Sequence, residues 1–340
     1  MNKKISMLAI LMLLPPIIAI IIFFSYRKIT AALQFQQNIY RQANNQMVVD
    51  PPALTELEHF SFAVLGDTQR FEPDDHDGDL QLAVKSLEKL NPDFVVSVGD
   101  QISSCDDHEC PKKIRHWKKI LGPKLLPKTF VTIGNHDYHD SDSLKYWQNA
   151  LMMPQNGPQG YKESVYSFDY GNARFIVLNS SHPVDNQISQ IQLDWLKQDL
   201  KINQKTHTFV FFHAPAFPTG SKITESLDRY PDQRDELWAI LDHYSVTAIF
   251  SGHEHLHSRS LIDSKTYPQA QNQILQFIVG NTDAFDHKKP KTEKIKQNNI
   301  QYAYRDNNFL IVQIQANQIR VKNYSVEGRL QDQYTYQFHS

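Results

Sequence analysis

The chain changes hydrophobic period along its length, and the changes predict its architecture. From Phe60 onward, short apolar runs rich in β-branched and aromatic residues alternate with stretches whose apolar positions recur every three or four residues. The runs predict strands at Phe60–Leu65, Phe94–Val98, Thr129–Ile133, Ala173–Leu178, Thr208–Phe212, Thr247–Phe250 and Ile274–Val279. The stripes predict helices over Leu80–Leu90, around Trp117, over Ile188–Leu200 and around Leu237–Leu241. This alternation implies a layered α/β fold. The last forty residues differ. Phe309–Ile314, Gln318–Tyr324 and Gln333–Phe338 alternate apolar with polar, separated by Ala316-Asn317 and Glu327-Gly328, as antiparallel hairpins on a sheet edge do.

The N-terminal stretch follows neither period. Ile5–Tyr26 is almost wholly apolar, between Lys3-Lys4 and Arg27-Lys28. About twenty apolar residues suffice to cross a bilayer, and no well-placed small-residue cleavage site follows. Residues 1–28 are therefore expected to be an uncleaved single-pass anchor, kinked at Pro15-Pro16. Residues 29–57, rich in Gln and Asn and ending in Asp50-Pro51-Pro52, read as a tether to a domain over 58–340.

Composition narrows the classes. In 340 residues, 35 Lys and Arg against 37 Asp and Glu leave a formal charge of -2, so no basic field argues for nucleic acid. The two cysteines, Cys105 and Cys110, lie five apart in a polar loop and read as a disulfide formed in an oxidising compartment. Positive charges flank the anchor on both sides, so the cysteines are what place the domain outside the cytoplasm, periplasmic or extracellular. His287–Lys296 is basic and proline-interrupted, and reads as a solvated loop.

The candidate chemistry sits where strands end. Five predicted strands run into Gly66-Asp67-Thr68-Gln69, Gly99-Asp100-Gln101, Gly134-Asn135-His136-Asp137, His213-Ala214-Pro215 and Ser251-Gly252-His253-Glu254-His255. Carboxyl ends of strands are where open α/β sheets hold ligands. Each glycine is expected to turn the backbone sharply, and His253 and His255 to alternate towards one side. Carboxylates, an amide oxygen and imidazoles suit first-row metal ions, and the lack of cysteine among them argues against a structural zinc site. Taken singly, each residue has a plainer reading: Asp67 a turn cap, His213 a buried core histidine.

In this order the motifs resemble the calcineurin-like metallophosphoesterases, by motif over residues 58–260 and by strand pattern to 340. The resemblance implies a four-layer αββα double β-sandwich with helices on both outer faces. It implies two metal ions, divalent or mixed-valence Mn, Zn or Fe. Asp67, Gln69 and His255 would hold the first and Asn135, His213 and His253 the second, with Asp100 bridging them. A bridging hydroxide would attack phosphorus in line, while His136 acts as acid or phosphoryl donor and Asp137 orients its ring. The implied substrate is a phosphate ester, monoester in preference to diester.

Two positions depart from the pattern. Gln69 stands where the family has His, and a carboxamide is a poorer donor to zinc or iron than imidazole. It favours an alternative reading, a catalytically weak or inactive phosphate-binding sensor. Ser103 stands where the purple acid phosphatase branch has a metal-binding Tyr, so no tyrosinate-to-iron colour is expected. Elsewhere His76, His108, His139, His182 and His257 read as surface residues, with His139 and His257 the best candidates for a supporting contact. Arg229 and Arg259 are candidates for steering a phosphate, and Tyr138, Tyr161, Phe217 and Tyr230 for stacking on a leaving group.

Overall fold

A computed structural model describes residues 58–69, 78–105, 109–284 and 289–337. The expected anchor and tether, with His76, His108 and His287, lie outside these residues. No helix among the described residues is long and apolar enough to cross a membrane.

Two sheets stack face to face. In the six-stranded sheet, β1 (His59–Leu65) pairs in parallel with β2 (Phe94–Ser97), and β2 with β3 (Thr129–Val131). The C-terminal strands β11 (Asn308–Gln315), β12 (Gln318–Ser325) and β13 (Leu330–Gln337) extend this sheet antiparallel from β1, giving the order β13-β12-β11-β1-β2-β3. Their period-2 alternation thus marks hairpins on a sheet edge. The seven-stranded sheet contains β4 (Tyr166–Tyr170), β5 (Ala173–Val177), β6 (His207–Phe211), β7 (Ala248–Ser251), β8 (His257–Ile262), β9 (Ile274–Val279) and β10 (Ile300–Tyr304). Its order is β10-β8-β9-β7-β6-β5-β4, with parallel pairing along β9-β7-β6-β5.

Aromatic side chains fill the space between the sheets. Phe62 on β1 meets Phe175 edge-on at 5.2 Å and Phe209 at 5.3 Å. Such pairs add about 0.5–1.5 kcal/mol beyond area burial. Against the outer face of the first sheet, helix α1 (Gly78–Leu90) buries Leu80, Ala83, Val84 and Leu87, the i, i+3, i+4, i+7 stripe of an amphipathic helix. Helix α2 (Cys110–Leu125) buries Ile114, Trp117 and Leu121 beside it. On the other side α4 (Gln190–Ile202) and α5 (Pro231–His243) press Leu193, Leu196, Leu237 and Trp238 onto Ile176, Val210 and Ile249. The central strands have cover on both faces, which is why they read as unbroken apolar runs.

Several elements had no clear signal. Strands β4 and β8 carry polar residues at buried positions, so their alternation is masked, and β10 is an edge strand with no buried side chain. Helix α3 (Ser141–Ala150) begins at a capping box between Asp140 and Ser143. The basic segment expected to be a loop contains a short helix, α6 (Thr292–Gln297). His257, expected at the surface, opens β8 fully enclosed, its Nδ1 bonded to the Ile278 carbonyl.

Candidate metal centre

The strand ends from both sheets meet at one edge of the sandwich. Asp67 Oδ1 lies 3.6 Å from His255 Nε2. Gln69 Nε2 lies 3.1 Å from the same imidazole nitrogen and 3.4 Å from Asp100 Oδ2. That Asp100 oxygen is also 3.2 Å from His213 Nε2, which in turn is 3.1 Å from Asn135 Oδ1. His253 completes the group: one donor atom each from Asp100, His213 and His253 falls within 4.8 Å of the others. All seven side chains named from the sequence stand together, and Asp100 lies between an Asp67–Gln69–His255 half and an Asn135–His213–His253 half.

The donor chemistry fits a pair of cations. The Val98 carbonyl takes the His213 Nδ1 proton at 2.9 Å, which leaves Nε2 an acceptor facing two more acceptors. Such a group repels itself unless a proton or metal ion sits within it. Likewise His253 Nε2 bonds the Glu225 carbonyl at 2.8 Å, which frees its Nδ1. Gln69 Oε1 is buried with no partner among the described residues. Turning that amide over, a choice set by its partners, would direct the oxygen towards Asp100 and His255 as a ligand needs.

The charges show the same strain. Burial raises the Asp67 carboxyl well above its usual range, and Asp100 adds to this. Asp100 is itself buried, but neighbouring His213 holds it well below the usual range. Burial would depress His213, yet Asp100 and Asp67 push it up to about 10. Burial and the nearby His213 lower His253 to about 3, and burial lowers His255 to about 4. A tight set of protons shared among would-be ligands is characteristic of a functional site.

The turns hold these side chains differently from expectation. Asp67, Asp100, His253 and His255 have φ of 51°, 53°, 73° and 49°, so the candidate ligand residues themselves take the left-handed conformation. Each such non-glycine costs about 1–3 kcal/mol, tolerated where the surroundings enforce it. His253 and His255 therefore sit in a tight turn and serve opposite halves, instead of alternating along a strand. Among the four glycines that precede candidate ligands, only Gly99 has positive φ, 103°. The others supply space: a Cβ on Gly66 would overlap Val98, on Gly134 the Asp100 carboxylate, and on Gly252 the Asp67 carboxylate.

Asp137 does not orient the His136 ring. Its carboxylate accepts from the main-chain N–H groups of Gly134 and Gln101 at 2.9 Å each and of Ile102 at 3.3 Å, tying two strand ends together. The ring is instead held by the Ser103 carbonyl, bonded to Nδ1. The His136 N–H meanwhile donates to Asp100 Oδ1 at 2.9 Å.

Two supporting segments were missed in the sequence. Glu254 is buried between the two histidines and accepts from Thr219 Oγ1 at 2.9 Å and from the N–H groups of Thr219, Gly220 and Lys222. After β9, Thr282 Oγ1 accepts from Gly66 N at 3.2 Å, and Asp283 N donates to the Asp67 carbonyl at 3.1 Å. The signal was available, since Gly280-Asn281-Thr282-Asp283 repeats the Gly-Asn-x-Asp spelling of residues 134–137.

Other candidates are engaged with partners of their own. Arg259 lies 4.1 Å over the Tyr334 ring and pairs with Asp332. Tyr161 and Phe217 are buried, Phe217 against Trp238. Tyr138 is partly open and bonds His182 Nδ1 at 2.8 Å.

The calcineurin-like phosphoesterase family matches residues 60–257, more than half of the chain. The chain belongs to that family. As a member it is a phosphoester hydrolase, and its relatives span two activities. A 3',5'-cyclic-nucleotide phosphodiesterase of Nostoc sp. is 29% identical over 205 residues, 58% of this chain and 70% of the relative. Purple acid phosphatase 23 of Arabidopsis thaliana is 26% identical over 148 residues, 42% of this chain and 32% of that protein. The purple acid phosphatase PPD1 of yellow lupin superposes with a TM-score of 0.66 at 16% identity, over 84% of this chain and 55% of that one, a likeness of fold.

Proposed function

We propose that this family member hydrolyses phosphate monoesters at a two-metal centre, the first ion held by Asp67, Gln69 and His255, the second by Asn135, His213 and His253, with Asp100 between them. The observation that carries this reading is Asp100 Oδ2, within 3.4 Å of Gln69 and 3.2 Å of His213. Bound metal ions would supply a nucleophile from water near neutral pH and positive charge for the phosphoryl oxygens. His136, its Nδ1–H held by the Ser103 carbonyl, presents Nε2 to the leaving group, and as the imidazolium it would hand the proton on that nitrogen to the departing alkoxide. Asp137 keeps the turns bearing Asp100 and Asn135 in register. Lys222, which pairs with Glu225 at 3.3 Å, adds a cation whose charge acts on Asp67, His253 and His255 and would suit a phosphoryl dianion.

A second reading, a phosphodiesterase, is favoured by the Nostoc relative. Assays with para-nitrophenyl phosphate and its bis-ester, each with Mn²⁺, Zn²⁺ and Fe²⁺, separate the two. Faster turnover of the bis-ester overturns the monoesterase reading. A folded, metal-loaded protein inert towards both leaves the phosphate-binding sensor.

We also propose that residues 1–28 anchor the enzyme with its catalytic domain outside the cytoplasm. The apolar run Ile5–Tyr26 and the Cys105–Cys110 disulfide support this. Fractionation of the full chain tests it: release from membranes by salt alone contradicts the anchor.

A further inference from the structure

We propose that the Cys105–Cys110 cross-link is a positioning device for His136, acting through the Ser103 carbonyl. The proposal rests on the reading of His136 as proton donor.

The segment that bears this carbonyl is fastened at each residue. Ile102 N–H donates to Asp137 Oδ1 at 3.3 Å. The Ser103 carbonyl meets His136 Nδ1. Lys113 Nζ reaches Ser104 Oγ at 3.2 Å and the Ser104 carbonyl at 3.4 Å. Ser143 Oγ donates to the Cys105 carbonyl at 3.1 Å, and the Cys105 sulfur is bonded to Cys110. Two of these ties run to α2, which begins at Cys110 and is itself seated by the buried Ile114, Trp117 and Leu121. Trp117 Nε1 in turn donates to Thr68 Oγ1 at 3.2 Å, beside Asp67. The cross-link therefore joins the strand end that carries Asp100 to a rigid helix, with the His136 ring hanging from the span between them.

A cross-link that closes so short a loop removes less entropy from the unfolded chain than one closing a long loop, so more of its weight falls on local geometry. That geometry matters for a proton donor. A ring whose Nδ1 partner drifts can turn or exchange tautomers, and small misplacements are costly to a transfer step. Metal ligation is expected to be spared, because Asp100 Oδ1 is held by the His136 main-chain N–H at 2.9 Å and the turn after it by Asp137, which bonds the Gln101 N–H at 2.9 Å. The dependence on leaving group discriminates. An alkoxide needs its proton as the bond breaks, whereas para-nitrophenolate departs without one.

The test compares the Cys105→Ser/Cys110→Ser double variant, His136→Ala and their combination. Turnover of glycerol phosphate and para-nitrophenyl phosphate is measured, with metal content and thermal midpoint recorded. On glycerol phosphate the double variant is expected to lose about 10-fold or more in kcat, part of the 10²–10⁴-fold that a positioned acid supplies. Turnover of the aryl ester, KM and metal content should change little. In the His136→Ala background, removing the cross-link should cost nothing further, because both changes act on one step. Equal losses on both esters, or a loss that adds to that of His136→Ala, overturn the proposal. If the double variant does not fold, Cys105→Ala/Cys110→Ala opens the same cross-link with apolar side chains suited to the buried positions. The same split between esters is then expected, and its absence overturns the proposal. A wild-type protein inert towards both esters, or a His136→Ala variant impaired equally on both, defeats the reading of His136 and this proposal with it. Failure confined to the cysteine variants defeats the proposal alone.

Discussion

Asp100 occupies the space in which a side chain on Gly134 would stand. A Cβ there would overlap both the Asp100 carboxylate and its main-chain nitrogen. Two strand ends thus approach as closely as backbones can, which brings Asn135 to the ligands of the neighbouring strand. Gly134→Ala should push Asp100 aside and lower metal affinity about 10- to 100-fold or more. Metal titration by calorimetry checks this, and unchanged affinity would mean the contact relaxes without consequence.

Metal ions should stabilise the fold. His213 Nε2, Asn135 Oδ1 and Asp100 Oδ2 crowd together, and a cation among them removes their repulsion. Saturation at 100 times the dissociation constant corresponds to about 2.7 kcal/mol. Chelation should lower the thermal midpoint, and Mn²⁺ or Zn²⁺ should restore it in the wild type but much less in His213→Ala. A midpoint indifferent to chelator counts against the centre.

Asp100 and His136 should fail in different ways. Asp100→Asn is expected to abolish turnover and reduce bound metal, since the carboxylate stands between both halves. His136→Ala should cut turnover of an alkyl ester about 10²–10⁴-fold with metal content near normal. Inductively coupled plasma analysis beside the kinetics distinguishes them, and metal loss in His136→Ala would make it a ligand.

Gln69 should make the first position the weaker one. Its amide contacts His255 and Asp100, but an imidazole is the stronger donor to zinc or iron. Gln69→His is expected to raise the metal retained after dialysis from near one ion per chain towards two. No rise would place Gln69 outside the coordination sphere.

Glu254 should matter to stability as well as to the site. It serves four donors of the 219–222 segment, and each buried donor left unpaired costs about 1–3 kcal/mol. Glu254→Leu should lower the thermal midpoint markedly and weaken metal binding by loosening the turn between His253 and His255. A midpoint equal to wild type would show that water replaces the carboxylate.

Sequence alone determined the rhythm of strands and helices, the hairpin character of the last three strands, and the residues gathered at the strand ends. Those features are local: burial on one or both faces imposes period and composition on each element by itself. Strands β4 and β8 escaped because their buried polar residues find partners elsewhere in the fold, and such partners leave no trace in periodicity. Strand β10 escaped because, at the sheet edge, it buries no side chain. Tertiary structure decided what depends on distance between remote segments. It put Asp137 onto three backbone amides and gave the His136 ring to Ser103. It also showed that three glycines precede ligands for want of room, where the sequence had suggested turning freedom. The physical reason is that a motif specifies which donors a strand end can offer, while the approach of other strands sets where each donor points.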